Sequence, residues 1–305
     1  MEMLLIVLLI AAAAAIVLGK PRGRKASAEP ALSAPVPVPS EQNTLQEELK
    51  MRAAEFMAFD RFSLVIQPVM NFATGIPDGG EVLSRLNHPE KGVIFPDEFL
   101  PAINAAGLYP RFDCYIFQKT CAWLSRSAGT GEMLGCVSCN FSRKTLSEPE
   151  IAARLAEIAD SYGLRHDSLA IEITERERET DALRFRENLK QLKAAGFRLF
   201  LDDYGNGVTS LKEIMEYPLD VVKIDRSILY AAVTDREKEA YKALVATATA
   251  QGMKVVCEGI ETEAQGAFAR DCGCHYGQGF LYFYPTGVNE MFEMMERSRI
   301  SEAEA

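Results

Sequence analysis

Between residues 181 and 258 the chain reads as five alternating segments. Asp181–Ala195 is polar with helical spacing, and Arg198-Leu-Phe-Leu-Asp202 is a short apolar run. Val221-Val-Lys-Ile224 is a second run, Asp235–Gln251 is helical again, and Lys254-Val-Val-Cys-Glu258 is a third run. Runs of this length alternating with helical stretches predict β-strand and α-helix units on a largely parallel sheet. The pattern extends outward in both directions. Phe62–Gln67, Gly80–Leu86, Gly135–Asn140 and Leu169–Thr174 precede it and Gly279–Phe283 follows, giving eight predicted strands. Predicted helices at Asp97–Ala106, Phe112–Ser127, Pro149–Tyr162 and Thr262–Arg270 fill the remaining gaps. Eight strands with alternating helices predict an α/β fold, a (β/α)8 barrel of the TIM type, with an open doubly wound sheet as the alternative. Thr74-Gly75 and Asp78-Gly79-Gly80 leave no room for a crossover helix between the first two strands, so these should pair antiparallel.

Composition narrows the class. The 305 residues are 48% hydrophobic and 25% charged, which excludes a collagenous, wholly disordered or polytopic membrane chain. The net charge of −10 argues against a DNA or RNA duplex as partner, since duplex binding needs clustered cations to displace counterions. It leaves room for a small anionic ligand held through metal ions. Seven cysteines, an odd number in a long chain, do not form a disulfide framework. Cys136-Val-Ser-Cys139 and Cys272-Gly-Cys274-His275 are each only half a zinc site, and free thiols in a reducing compartment are expected. His88, His166 and His275 read as structural, and Trp123 lies on a packed helix face.

The ends differ from the middle. Met3–Gly19 carries no charge for 17 residues, and Lys20, Arg22, Arg24 and Lys25 follow at once. A membrane-spanning helix with its C-terminal side in the cytoplasm is expected. A cleaved signal peptide ending near Ala26-Ser27-Ala28 is the alternative, but its positive charge should precede the apolar stretch. The expected organisation is an anchor at 1–19, a Pro/Ala-rich linker at 20–43, a barrel domain at 44–298 and an acidic tail at 299–305. Thr44-Leu-Gln-Glu47 reads as a capping box that opens a helix through about Phe59. The expected location is the inner (cytoplasmic) membrane, single-pass, with the barrel in the cytoplasm.

Polar residues fall at one end of nearly every predicted strand. Gln67, Glu81, Asn140, Glu172, Asp202 with Asp203, Lys223, Glu258 and Gln278 mark strands one to eight in turn. A carboxylate in an apolar strand costs several kcal/mol unless it is paired or holds a metal. Five carboxylates with one opposing lysine therefore point to bound cations. Oxygen ligands with an amide suit Mg²⁺ or Mn²⁺, and paired ions are the usual device for attacking a phosphodiester.

Taken together, Glu81-Val-Leu-Ser-Arg85, Asn140-Phe-Ser142, Glu172-Ile-Thr-Glu175, Asp202-Asp-Tyr-Gly-Asn-Gly207, Lys223-Ile-Asp225, Glu258-Gly-Ile-Glu261 and Gln278-Gly279 resemble the EAL domain family in order and spacing. Val65-Ile-Gln-Pro68 also matches, and the resemblance covers about residues 45–297. It implies a modified TIM barrel with one antiparallel strand and a cyclic-di-GMP phosphodiesterase that needs two Mg²⁺ or Mn²⁺ ions and yields linear pGpG. By the same resemblance Glu81, Asn140, Glu172 and Asp202 hold the first ion. Asp202 bridges to a second, joined by Asp203 and Glu258. Lys223 contacts the attacking water, and Glu258 is also cast as a general base. Arg85 reaches a phosphate, Gln67, Leu83, Asp225 and Gln278 support the ligand, and Glu175 anchors the loop at 203–210. A homodimer is implied as well.

The chain departs from the family pattern at Val82, Ser84, Leu86, Tyr204, Asn206 and Val208. None of these is a ligand position. The last two lie in the loop that, in the family, links the metal site to the dimer interface. An enzyme and a ligand-capturing, non-hydrolysing module remain the two functional readings. Filled ligand positions favour the enzyme.

Overall fold

A computed structural model describes residues 41–126, 135–174, 179–205, 211–287 and 290. The expected anchor and linker, Glu175, Asn206, Val208 and the acidic tail lie outside the described residues. Among the described residues no helix is long and apolar enough to cross a membrane.

The elements run α1 (Glu41–Ala58), β1 (Phe62–Asn71), β2 (Pro77–His88), β3 (Gly92–Ile94), α2 (Pro96–Ala105), α3 (Tyr109–Arg126), β4 (Val137–Phe141) and α4 (Arg143–Leu146). They continue with α5 (Ile151–Ser161), β5 (Leu169–Ile173), α6 (Ala182–Ala195), β6 (Arg198–Tyr204), α7 (Leu211–Glu216), β7 (Val221–Ile224) and α8 (Arg226–Ala231). The last four are α9 (Asp235–Ala250), β8 (Lys254–Cys257), α10 (Glu263–Asp271) and β9 (Tyr276–Gly277). Strand order β1-β9-β8-β7-β6-β5-β4-β2, with β1 also paired to β2, closes the sheet into a barrel and excludes the open sheet. β1 is antiparallel to both neighbours, and β2 and β4–β9 are mutually parallel. The short turn between β1 and β2 therefore has the antiparallel consequence expected of it. β3 is an added strand on β2, outside the ring, and was not legible as a strand at three residues.

Every residue of β5 and of β7 is buried. Helices cover the outer side of such strands and side chains fill the inner side, which is why these runs are apolar throughout. The helices are set by local chemistry. Thr234 caps α9 and Glu237 returns the bond to the cap backbone, while Thr262 and Gln265 do the same for α10. Each such cap contributes about 1 kcal/mol.

Two expectations need correction. α1 already runs at Glu41, so Thr44 sits inside the helix and not at its cap. The eighth strand is Tyr276–Gly277, not Gly279–Phe283. Tyr276 and Gly277 pair with Val256 and Cys257 of β8 on one side and with Asn71 and Met70 of β1 on the other. The segment after them folds around Ile260: its N–H donates to the Gln278 carbonyl at 3.1 Å, and Leu281 N–H donates to the Ile260 carbonyl at 2.9 Å. A Cβ at Gly279 would stand 2.2 Å from that carbonyl oxygen. Glycine is what permits this approach, and the approach takes the run out of a strand.

Candidate active site

Lys223 projects from the middle of β7 and is 2% exposed. Its Nζ lies 2.8 Å from Glu81 Oε2, 2.6 Å from Glu172 Oε1, 2.6 Å from Glu258 Oε1 and 3.8 Å from Asp202 Oδ1. These acids come from β2, β5, the residue after β8, and β6. Four strands thus converge on one ammonium, as expected at the C-terminal mouth of a barrel. Glu81 is held from further sides. Asn140 Nδ2 donates to its Oε1 at 2.7 Å, and Gln278 Nε2 donates to its Oε2 at 2.9 Å. Gln278 also donates to Gln67 Oε1 at 3.2 Å, and Gln67 donates to the Phe283 carbonyl at 3.1 Å. Gln67 faces Glu81 across the β1–β2 register, so strand pairing alone brings them together.

Asp202 and Asp203 present a geometric problem, because adjacent strand residues normally face opposite sides. The β6–β7 register shifts between Leu201 and Tyr204, and Asp203 takes φ 56°. This bulge re-aims the strand end. With it, carboxylate oxygens of Asp202, Asp203 and Glu258 all come within 4.8 Å of one another.

Ionised together, the acids around Lys223 would carry more negative charge than one ammonium offsets, and the metal-free site answers by holding protons. Burial raises Glu172 to about 8, and the Glu81 charge adds to this against the pull of Lys223. Burial likewise raises Asp202 to about 6, with Glu81 and Asp203 contributing. Glu258 is pushed well above the carboxylate range, again chiefly by burial. Glu81 is held low: burial opposes this but is outweighed by Lys223, Gln278 and Asn140. Lys223 is held well above its ordinary value, because Glu172, Glu258, Glu81 and Asp202 outweigh its own burial. Glu172 Oε2 and Asp202 Oδ1 are buried without a hydrogen-bond partner. Buried carboxylate oxygens left in this state are suited to a hard divalent cation, and the donor set of acids plus one amide fits Mg²⁺ or Mn²⁺.

The remaining sequence-predicted residues lie nearby or are engaged locally. Leu83 lines a cavity of ≈ 150 Å³ beside the cluster, together with Glu81, Asn140, Asp202, Tyr109 and Asp113. Arg85 donates to the Ser84 carbonyl at 2.9 Å, and its guanidinium stands 4.9 Å from the Phe95 ring centre. Asp225 caps α8 by accepting from Ser227 N–H at 2.9 Å. The histidines are structural, as expected. His88 contacts Glu48, His166 contacts Asp160 and stacks on Phe197, and His275 accepts from Val255 N–H.

Sequence reasoning missed Asp113. This buried acid on α3 accepts from Ser142 N–H at 2.9 Å and from the Thr145 hydroxyl at 2.6 Å, and so pins the turn two residues beyond Asn140. Burial raises it to about 6. The signal for it was a carboxylate set between Phe112 and Cys114 on a helix face that is otherwise apolar. Arg143 was missed too: it pairs with Glu179 at 3.0 Å and packs against the rings of Phe185 and Tyr217.

Comparison with known proteins agrees with this geometry. The chain is 30% identical over 265 residues to the cyclic di-GMP phosphodiesterase NbdA of Pseudomonas aeruginosa, covering 85% of this chain and 33% of the relative. It is 29% identical to the bifunctional diguanylate cyclase/cyclic di-GMP phosphodiesterase MucR of the same species, covering 81% of this chain and 36% of the relative. The chain thus spans about a third of these curated relatives. Among solved structures, the PaMucR phosphodiesterase in complex with c-di-GMP superposes with TM-score 0.74 and 27% identity, covering 80% of this chain and 99% of that one. The EAL enzyme Bd1971, bound to cAMP and cyclic-di-GMP, superposes with TM-score 0.76 at 23% identity, covering 82% of this chain and 69% of that one, and shows the shared fold. The EAL domain model matches residues 50–285, which span the whole barrel and every acid around Lys223, and the chain belongs to the EAL domain family.

Proposed function

We propose that this chain hydrolyses cyclic-di-GMP to linear pGpG at a two-ion site. The observation that carries the reading is the convergence of Glu81, Asn140, Glu172, Asp202, Asp203 and Glu258 around Lys223, with two buried carboxylate oxygens left without a hydrogen bond. No ligand position of the family is vacant in the sequence. The relatives NbdA and MucR carry the phosphodiesterase name, which supports the substrate class.

In this reading Glu81, Asn140, Glu172 and Asp202 hold one Mg²⁺ or Mn²⁺, and Asp202, Asp203 and Glu258 hold a second. Such ions supply charge neutralisation and an acidified water at neutral pH. The protein does the rest. Glu258, ionised beside the cations, would accept the proton of the attacking water. Lys223 keeps the surrounding carboxylates in place and offsets their charge. Arg85 and Gln278 orient the dinucleotide, with Gln67 and Leu83 beside them. Asp225 supports the ligand side of the mouth through the helix it caps. The water oxygen bonds to phosphorus, one P–O3′ bond breaks, O3′ leaves as a hydroxyl by taking a proton from solvent while Glu258 returns its own to solvent, and the product keeps a 5′-phosphate.

Met3–Gly19 and the basic residues after it support a single-pass anchor in the cytoplasmic membrane, with the barrel on the cytoplasmic side. The family resemblance supports a homodimer. The deciding experiment is turnover with purified full chain and Mg²⁺ or Mn²⁺. Conversion to pGpG is expected, with Glu81→Ala lowering it by about 10²–10³-fold, the scale for losing one preorganised electrostatic group of an active site. Tight nucleotide binding with no product in either metal would identify a receptor instead.

A further inference from the structure

Beneath the acidic cluster the barrel is hollow. A cavity of ≈ 300 Å³ lies at the opposite, N-terminal end, and Lys223 forms part of its wall. Barrel interiors are ordinarily filled by layers of bulky side chains. Here Ser138 occupies an inward position one layer below Asn140 and is too small to fill its share, and the Gly80 backbone forms part of the wall.

The lining has two characters. Phe200, Val221 and Val256 give an apolar interior, and Arg198 and Lys254 stand at its edge. These two cations open β6 and β8, on either side of β7. The register sets Lys254 level with Phe200, two residues from Arg198, so two strand spacings and two residues of rise put their backbones about 12 Å apart, within joint reach of one anionic group by their long side chains. Among the described residues neither the Arg198 nor the Lys254 side chain makes a hydrogen bond or salt bridge; Lys254 only overlies the Tyr276 ring at 5.5 Å. The two acids on the same lining are already engaged. Asp220 takes Lys193 and Leu199 N–H, and Asp78 takes Asn71 Nδ2 at 3.3 Å. A second sign comes from Ser138. It is 3% exposed as a residue and lines the cavity, so its hydroxyl stands where a bound group could meet it.

We propose that this cavity is a second ligand site, separate from the acidic mouth, for a small organic anion. The apolar body enters between Phe200, Val221 and Val256, the phosphate or carboxylate head stays with Arg198 and Lys254, and Ser138 supplies one buried hydrogen bond. Bound apolar surface with a few placed polar groups is the general design of small-molecule pockets.

Phenyl phosphate is the probe, titrated calorimetrically into the full chain in EDTA, where the metal-free mouth repels anions. Benzoate, inorganic phosphate and phenol are the comparison ligands. One saturable site for phenyl phosphate is expected, with phenol and inorganic phosphate each binding at least about tenfold more weakly. Benzoate binding alongside it identifies a general anion site, and its failure identifies a phosphate site. Arg198→Gln with Lys254→Gln should weaken phenyl phosphate by about tenfold or more, since charge-assisted hydrogen bonds are the strong ones. Ser138→Leu should abolish binding by filling the space. If that variant does not fold, the double variant at two exposed positions carries the test. Absence of saturable binding, or binding unchanged in the double variant, overturns the proposal.

Discussion

At the scale of the residue, Lys223 is one ammonium facing Glu81, Glu172, Asp202 and Glu258, and removing it exposes the imbalance. Lys223→Met leaves Glu81, Glu172 and Glu258 without their shared donor. Breaking a buried ion pair from one side costs about 3–5 kcal/mol. A loss of this size is expected by urea denaturation in EDTA, with part of it recovered on adding Mg²⁺. No recovery would argue against a cation site among these acids.

The same acids set a pH dependence. Asp202 and Glu172 keep their protons in the folded chain up to about 6 and about 8, whereas the unfolded chain releases them at about 4. The folded state therefore binds more protons across that window, so stability falls as pH rises. Asp113 and Glu258 act in the same direction. His275, held low by burial, acts in the opposite one. The metal-free protein is expected to melt at a lower temperature at pH 8 than at pH 5.5, and Mg²⁺ should reverse the difference at pH 8 by binding the ionised forms. A Tm that rises with pH in EDTA would contradict the assigned burial. The ligand types at these positions were legible in the sequence, because an acid that ends an apolar run is costly to bury unless a cation compensates it. Asp113 was not, because its partners, Ser142 and Thr145, lie about 30 residues away and meet it only after the α3–β4 packing is made.

At the scale of the element, the bulge at Asp203 does what no regular strand can. It brings two consecutive acids to one place and requires a left-handed backbone at a non-glycine residue. Asparagine tolerates that conformation and β-branched residues do not. Asp203→Asn is expected to keep native stability and lose metal affinity. Asp203→Val should also lose about 1–2 kcal/mol in chemical denaturation. Equal stability of the two variants would show that the bulge relaxes without cost. The alternation of strands and helices was legible because periodicity is a local property. The apolar pattern misplaces the eighth strand by three residues, because Gly279–Phe283 is as apolar as a strand. What removes it from the sheet is close contact with Ile260, about 20 residues earlier in the chain.

At the scale of the whole molecule, closure of the ring rests on β1, the one strand antiparallel to both neighbours. The short β1–β2 turn made half of this legible. The β1–β9 contact joins residues 70–71 to 276–277 and could not be read from either segment alone. The proposed anchor is tested at this scale. The chain from residue 41 onward should partition to the soluble fraction and retain turnover, while the full chain should pellet with membranes. Identical partitioning of the two would remove the anchor.

The sequence by itself determined the alternation of elements, the antiparallel start and the identity of the acids, because periodicity, turn length and the cost of burying charge act within a few residues. Only the tertiary structure decided that Lys223 bridges three of those acids, that a bulge turns Asp202 and Asp203 together, and that the space below is unfilled. Those facts depend on distances between strands tens to hundreds of residues apart, which no local pattern encodes.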